Sequence, residues 1–163
     1  MHNRKGTRIF SSLSAAAACA VAFTFLPAPA AGDDDLVGRV ADGRVAFEKV
    51  CGTCHGVDKP DNKNMDRPAW DELISSMEAR GAKMTAGERE LILDYLGIRN
   101  VFLSKCTGCH TAERILDRNQ PFPAWEKTVE RMANKGPGLV TEGEARSIVA
   151  YLTAIRGVNT AAK

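Results

Sequence analysis

Histidine and cysteine are scarce in this chain, with three of one and five of the other in 163 residues. Beyond residue 30 only His55, His110, Cys51, Cys54, Cys106 and Cys109 remain, and all six fall in two short stretches. These are Cys51-Gly52-Thr53-Cys54-His55 and Cys106-Thr107-Gly108-Cys109-His110. Nothing is left over for a disulfide elsewhere, a separate zinc site or a Cys–His catalytic pair. Long apolar runs are missing after residue 30, so that part holds no span of roughly twenty apolar residues. An excess of one charge is missing too: 22 basic residues face 20 acidic ones. That balance does not have the basic footprint of a nucleic-acid-binding domain. Period-two alternation, the mark of a half-buried strand, is absent as well.

What is present is one pattern written twice. C-x-x-C-H reads as an attachment site for c-type haem. Two thiols three residues apart lie on one face of a helical turn, and each can form a thioether with one haem vinyl group. The adjacent imidazole then serves as proximal iron ligand, which assigns Cys51, Cys54, Cys106 and Cys109 to attachment and His55 and His110 to iron. The competing readings are a redox C-x-x-C with a chance histidine, or half of a zinc site.

The first thirty residues read as a secretory signal peptide. Arg4, Lys5 and Arg8 form a positive start, an apolar run extends from Ser14 to Leu26, and Pro27-Ala28-Pro29-Ala30 supplies small residues for cleavage. The alternatives are an uncleaved anchor, for which the run is short, and a lipoprotein box at Cys19. Export agrees with the motifs, because c-type haem is attached outside the cytoplasm; the expected compartment is the periplasm. Cleavage removes three basic residues and no acid, which leaves the mature chain with one net negative charge. Asp33-Asp34-Asp35 reads as a solvated tail.

About 130 residues remain, enough for one or two small domains. Setting Cys51 over Cys106 brings Pro68-Ala69-Trp70 over Pro123-Ala124-Trp125, Met77 over Met132 and Gly81 over Gly136. With one residue inserted near Gly138, Thr85, Gly87-Glu88, Ile92 and Tyr95-Leu96 meet Thr141, Gly143-Glu144, Ile148 and Tyr151-Leu152. The chain therefore reads as a tandem duplication of a haem-binding unit of about 55 residues, a size marginal for an independent core. The units expected are residues 31–98 and 99–163, both all-α.

Within each unit the spacing predicts three helical segments. The first runs from near Asp35 to Cys51, with Val40, Val45 and Phe47 as buried positions. A polar loop from Asp58 to Arg67 follows. Pro68 and Pro123 suit a first helical turn. Trp70, Leu73, Ile74 and Met77, and likewise Trp125, Val129 and Met132, form one apolar stripe. Gly81 and Gly136 end these helices. Thr85–Glu88 and Thr141–Glu144 are capping boxes that open the last helices. Gly97 to Asn100 punctuates the junction, after which Val101-Phe102-Leu103 must replace a full entry helix and the units share one body.

With no histidine to spare, thioether sulfur is the usual alternative for the sixth iron position. Met132 is the sole methionine of the second unit, and of Met65, Met77 and Met84 only Met77 aligns with it. Met77 and Met132 are therefore the expected distal ligands, with Met84 the alternative for the first iron. Against this stand core filling, a lysine or asparagine ligand, and an open site. Trp70 and Trp125 can pack on the porphyrin and direct an indole N–H to a propionate. Lys63 and Arg118 can pair with propionates or remain solvated.

In the two motifs and the P-A-W…M…G…T-x-G-E…Y-L series, the chain resembles dihaem class I c-type cytochromes, and within them the dihaem domain of the alpha subunit of quinohaemoprotein amine dehydrogenases. The likeness spans the sequence after the leader. It implies an all-α, class I cytochrome c-like fold with two haems c, and an electron carrier working between periplasmic redox proteins. The other domains of such an enzyme have no counterpart here, so the resemblance extends to electron transfer and not to amine oxidation. The competing functions are a peroxidase-like dihaem enzyme and a gas-binding haem sensor. The first needs an open iron and a distal acid–base residue, the second an output domain.

Overall fold

The structure, a computed structural model, describes residues 32–57, 63–136 and 138–158. The expected signal peptide, Cys19 and part of the first polar loop lie outside these residues. Those described form helices α1 (Asp33–Cys51), α2 (Arg67–Ala79), α3 (Ala86–Cys106), α4 (Ala112–Leu116), α5 (Phe122–Ala133) and α6 (Glu142–Arg156). They contain no strand; Gln120 and Gly157 form one isolated bridge. No helix among them is long and apolar enough to cross a membrane.

Helices α1, α3 and α6 pack against one another, with α2 laid on α3 and α5 on α6. Val40 and Phe47 of α1, Ile92, Leu96 and Phe102 of α3, and Ile148 and Leu152 of α6 are buried together. Val45 is 63% exposed, not buried as its apolar character suggests. The inward face of α1 is set by Val40, Gly43, Ala46 and Phe47. At about 100° per residue Val45 points well off that face. Gly43 marks the tightest part: a Cβ there would stand 2.4 Å from the Leu91 carbonyl oxygen and 2.8 Å from the Tyr95 Cβ.

Local signals set most helix ends. Thr85 and Thr141 each accept from the backbone N–H three residues on, while the Glu88 and Glu144 carboxylates accept from the threonine N–H. Asp66 caps α2 by accepting from Ala69, and prolines stand in the first turns of α2 and α5. Asp33, Asp34 and Asp35 occupy the first turn of α1 instead of forming a tail. Three carboxylates at a helix N-terminus complement its dipole.

Gly81 ends α2 with a positive φ of 103°: its N–H reaches Glu78 and that of Ala82 reaches Met77. Those two bonds satisfy carbonyls the helix would leave open, in a geometry that favours glycine. Gly136 does not do the same; after α5 the positive φ belongs to Gly138. The inserted residue has moved the left-handed turn along the chain.

The expected punctuation at Gly97–Asn100 does not appear, because α3 runs unbroken from Ala86 to Cys106. Its buried positions, Ile92, Tyr95, Leu96, Arg99 and Phe102, continue at helical spacing across the glycine. A glycine inside a helix costs about 1 kcal/mol relative to alanine, less than the burial of that continuous face provides. The boundary expected between residues 98 and 99 thus falls within one helix, which closes the first half and opens the second.

Candidate haem-attachment sites

Each motif begins where a long helix stops. Cys51 is the last residue of α1 and Cys106 the last of α3. The Thr53 and Thr107 hydroxyls donate back to the carbonyls of Lys49 and Leu103, at 2.8 and 2.7 Å. The chain then turns, leaving Cys54 and Cys109 exposed and the two imidazoles half-buried. Lysines beside the motifs fasten the end of α1 to the start of α3 and the end of α3 to the start of α6. Lys49 reaches the capping glutamate Glu88 at 2.7 Å, and Lys105 reaches Glu144 at 3.0 Å.

The four thiols are unpaired. Burial raises the Cys51 thiol pKa and pushes that of Cys106 up to about 11. A redox C-x-x-C works through a thiolate of lowered pKa, commonly at a helix N-terminus. Here the first thiol of each pair stands at the helix C-terminus, where the dipole also opposes a negative charge. Among the described residues no three His, Cys, Asp or Glu side chains converge to hold a metal ion. Neither Cys51 nor Cys106 therefore has the setting of an activated thiolate.

The imidazoles differ. His55 Nδ1 lies 3.0 Å from the Gly56 carbonyl oxygen; in the tautomer that donates this bond, Nε2 keeps its lone pair for a metal. His110 Nδ1 is buried without a hydrogen-bond partner. The indole Nε1 atoms of Trp70 and Trp125, matched positions in the two halves, are also buried and unpartnered. A buried donor calls for an acceptor.

A cavity of about 470 Å³ lies where the two halves meet, between Val57, just past the first motif, and Ala112, just past the second. Phe47, Tyr95, Tyr151 and Phe102 line it in a row, with ring centroids 5.5, 6.0 and 5.1 Å apart along the series. Arg44, Arg99 and Arg156 also line it, together with Glu113 and with Glu48, to which Arg44 donates at 2.7 Å. Arg99 is only 8% exposed, and one of its N–H groups reaches the Lys63 carbonyl at 3.4 Å. The expectations named none of these arginines. Arg99 carried a legible signal, a charge placed in register with the apolar stripe of a helix.

The methionines separate into two kinds. Met65 and Met84 pack against the core. Met77 and Met132 come at the ends of the Trp70 and Trp125 stripes, Met77 half-buried and Met132 38% exposed. Met132 is thus not core filling. Lys63 and Arg118 are exposed. Half-buried imidazoles, thioethers outside the core and unpartnered indole donors are groups that a flat apolar molecule bearing carboxylates and a metal would call on; none of them lines the central cavity. No family model, curated protein or solved structure matches the chain.

Proposed function

We propose that the chain is a periplasmic dihaem c-type cytochrome that passes single electrons between redox partner proteins. The observation that carries the reading is the matched pair of motifs, each closing a helix with two unpaired thiols and a half-buried imidazole. Haem bound at each would supply one-electron ferrous–ferric chemistry. Cys51 and Cys54, and Cys106 and Cys109, hold it covalently. His55 and His110 present proximal nitrogens, and Met77 and Met132 present distal sulfur. The Trp70 and Trp125 N–H groups are donors suited to propionates, as are the guanidinium groups around the central cavity; exposed Lys63 and Arg118 stay largely solvated.

The two halves represent a duplicated class I cytochrome c-like unit, fused through the shared helix α3. The close packing of α1, α3 and α6 brings the motif-bearing segments to one cavity, so reduction at one site makes reduction at the other less favourable. At an effective dielectric near 20 such an interaction is worth around a kcal/mol or more.

Intact mass tests the reading directly. The mature protein, made in a host that matures c-type cytochromes and extracted with acid–acetone, should weigh two haems more than its polypeptide. A mass equal to the bare polypeptide overturns the proposal.

A further inference from the structure

On the outer side of the second half, α5 and α6 leave a groove of about 300 Å³. No residue of either motif lines it, and neither do Met132 and Trp125. Its floor carries Val129, Val140 and Val149, with Ala145 at its edge. Asp33, Glu126, Glu130 and Glu142 stand around it with Arg146, which leaves the acids in excess.

The first half shows what fills such a space. When Cys51 is set over Cys106, the floor positions become Ile74, Met84 and Leu93, each larger than the valine it matches. Ile74 and Leu93 are buried there, and Met84 packs against the core. Ala145 matches Arg89. That guanidinium crosses from α3 to α2, donating to the Asp71 carbonyl at 3.1 Å, the Asp71 carboxylate at 2.8 Å and the Ser75 hydroxyl at 2.8 Å, and pairing with Glu78. Glu126, Glu130 and Ala133 match Asp71, Ser75 and Glu78, so the second half keeps two carboxylates while losing the arginine that would pair with them. Four smaller side chains account for the groove, and its chemistry is what the missing arginine would satisfy.

We infer that the α5–α6 groove receives an arginine or lysine side chain of a partner protein, its stem over the valine floor and its charge among Glu126, Glu130 and Glu142. The partner surface is a basic residue flanked by apolar ones. A long cationic side chain is amphipathic in just this sense, and arginine is common at the centres of protein interfaces. The inference goes beyond the electron-transfer reading and does not rest on it, because no motif residue lines the groove.

The test uses the mature, reduced holoprotein with labelled valine and alanine methyls, titrated with the peptide acetyl-Leu-Arg-Leu-amide. Saturable shifts at Val129, Val140, Val149 and Ala145 are expected. Ala145→Arg should weaken binding at least tenfold by supplying the side chain internally, and the Glu126→Gln/Glu130→Gln double variant at least threefold. The peptide with glutamate in place of arginine should not bind. Absence of shifts at these methyls, or unchanged binding by both variants, overturns the proposal. It also fails if acetyl-arginine-amide alone binds as tightly as the peptide, which would make the occupant a small cation. Concentration-dependent dimerisation abolished by Ala145→Arg would likewise overturn it, by assigning the groove to a second copy. Haem content of the same samples, read by mass, separates this outcome from failure of the electron-transfer reading.

Discussion

Arg89 and Ala145 occupy matched places in the closing helices of the two halves, and the surfaces around them diverge accordingly. In the first half Arg89 bonds α3 to α2, while Arg67 reaches Glu90 at 2.6 Å and Asp94 at 2.7 Å, and Arg39 of α1 also pairs with Asp94. The matched residues in the second half are Phe122 for Arg67, Arg146 for Glu90 and Ala150 for Asp94, and that network is gone. After the second motif the short helix α4 forms, and its Ile115 and Leu116 pack against the core. The same pattern of stripes, caps and motifs thus tolerates an outer face sealed by ionic contacts and one left open. The inner faces stay alike, since Phe47 with Tyr95 and Phe102 with Tyr151 repeat one aromatic pairing.

The sharpest way to break the likeness is at sulfur. Met77→Ala and Met132→Ala should each admit carbon monoxide at one reduced haem and lower one reduction potential, with both haems still attached. Spectrophotometric titration distinguishes the two. If neither variant differs from the wild type in carbon monoxide uptake, the methionines are not ligands and the sensor or enzyme reading gains ground. The polar residues from Lys59 to Arg67 in the first half and the packed Ile115 and Leu116 of the second lead us to expect the higher potential at the second haem, because burial disfavours the extra positive charge of ferric haem. A redox titration in which the Met77-side haem is reduced first contradicts that ordering.

A smaller effect is expected where the helix crossings differ. Gly43 lets α1 approach α3, whereas its match is Ile98, half-buried against the core. Gly43→Ala places a Cβ against the Leu91 backbone and should cost about 1–3 kcal/mol in denaturant unfolding, the usual range for overpacking. A loss below a few tenths of that would mean the crossing is looser than it stands.

Removing the clamp comes next. Arg89→Ala should lose about 1–2 kcal/mol, since its hydrogen bonds join charged groups at a site only partly screened from water. It should also make the first half resemble the second, so that the leucine–arginine–leucine peptide shifts the Ile74 and Leu93 methyls. Unchanged stability would reduce Arg89 to a surface charge.

The mildest comparison is between the two capping boxes. Thr85→Ala and Thr141→Ala should each cost about 1 kcal/mol, the typical loss of an N-cap. Lys49 and the Thr85 N–H hold the Glu88 carboxyl at about 2, well under its ordinary 4.5. A lowered folded-state value means that stability is present above the ordinary range and is lost as pH falls towards 2. The midpoint difference between wild type and Lys49→Met should accordingly shrink across that interval. The Glu144 carboxyl is lowered as well, first by the Thr141 N–H and then by Lys105, so Lys105→Met should show the same direction. A difference independent of pH would place these lysines outside the capping interaction.

The motifs, the helix starts and the apolar stripes were legible in the residues themselves. Capping boxes close over three residues, proline at a first turn acts on its own backbone, and a stripe needs only two or three turns of one segment. The helix after the second motif was not legible, because five residues are too few to display a period. Gly97–Asn100 looked like a break because glycine's cost is local, while the burial that overrides it comes from α1 and α6, far along the chain. Val45 and Arg99 were misjudged or missed for the same reason: which side of a helix faces inward depends on the helices laid against it. Asp33–Asp35 joined α1 because a helix already held by its buried face extends into residues that suit its dipole.

The sequence by itself determined two C-x-x-C-H motifs, the elements that carry them and where most helices begin, since those rest on hydrogen bonds and spacings a few residues long. Only the tertiary structure decided that one helix serves both halves, that three arginines line the central cavity, and that the second half's outer groove stays open. Each of those depends on side-chain volume and charge from segments tens of residues apart, and no single segment contains that sum.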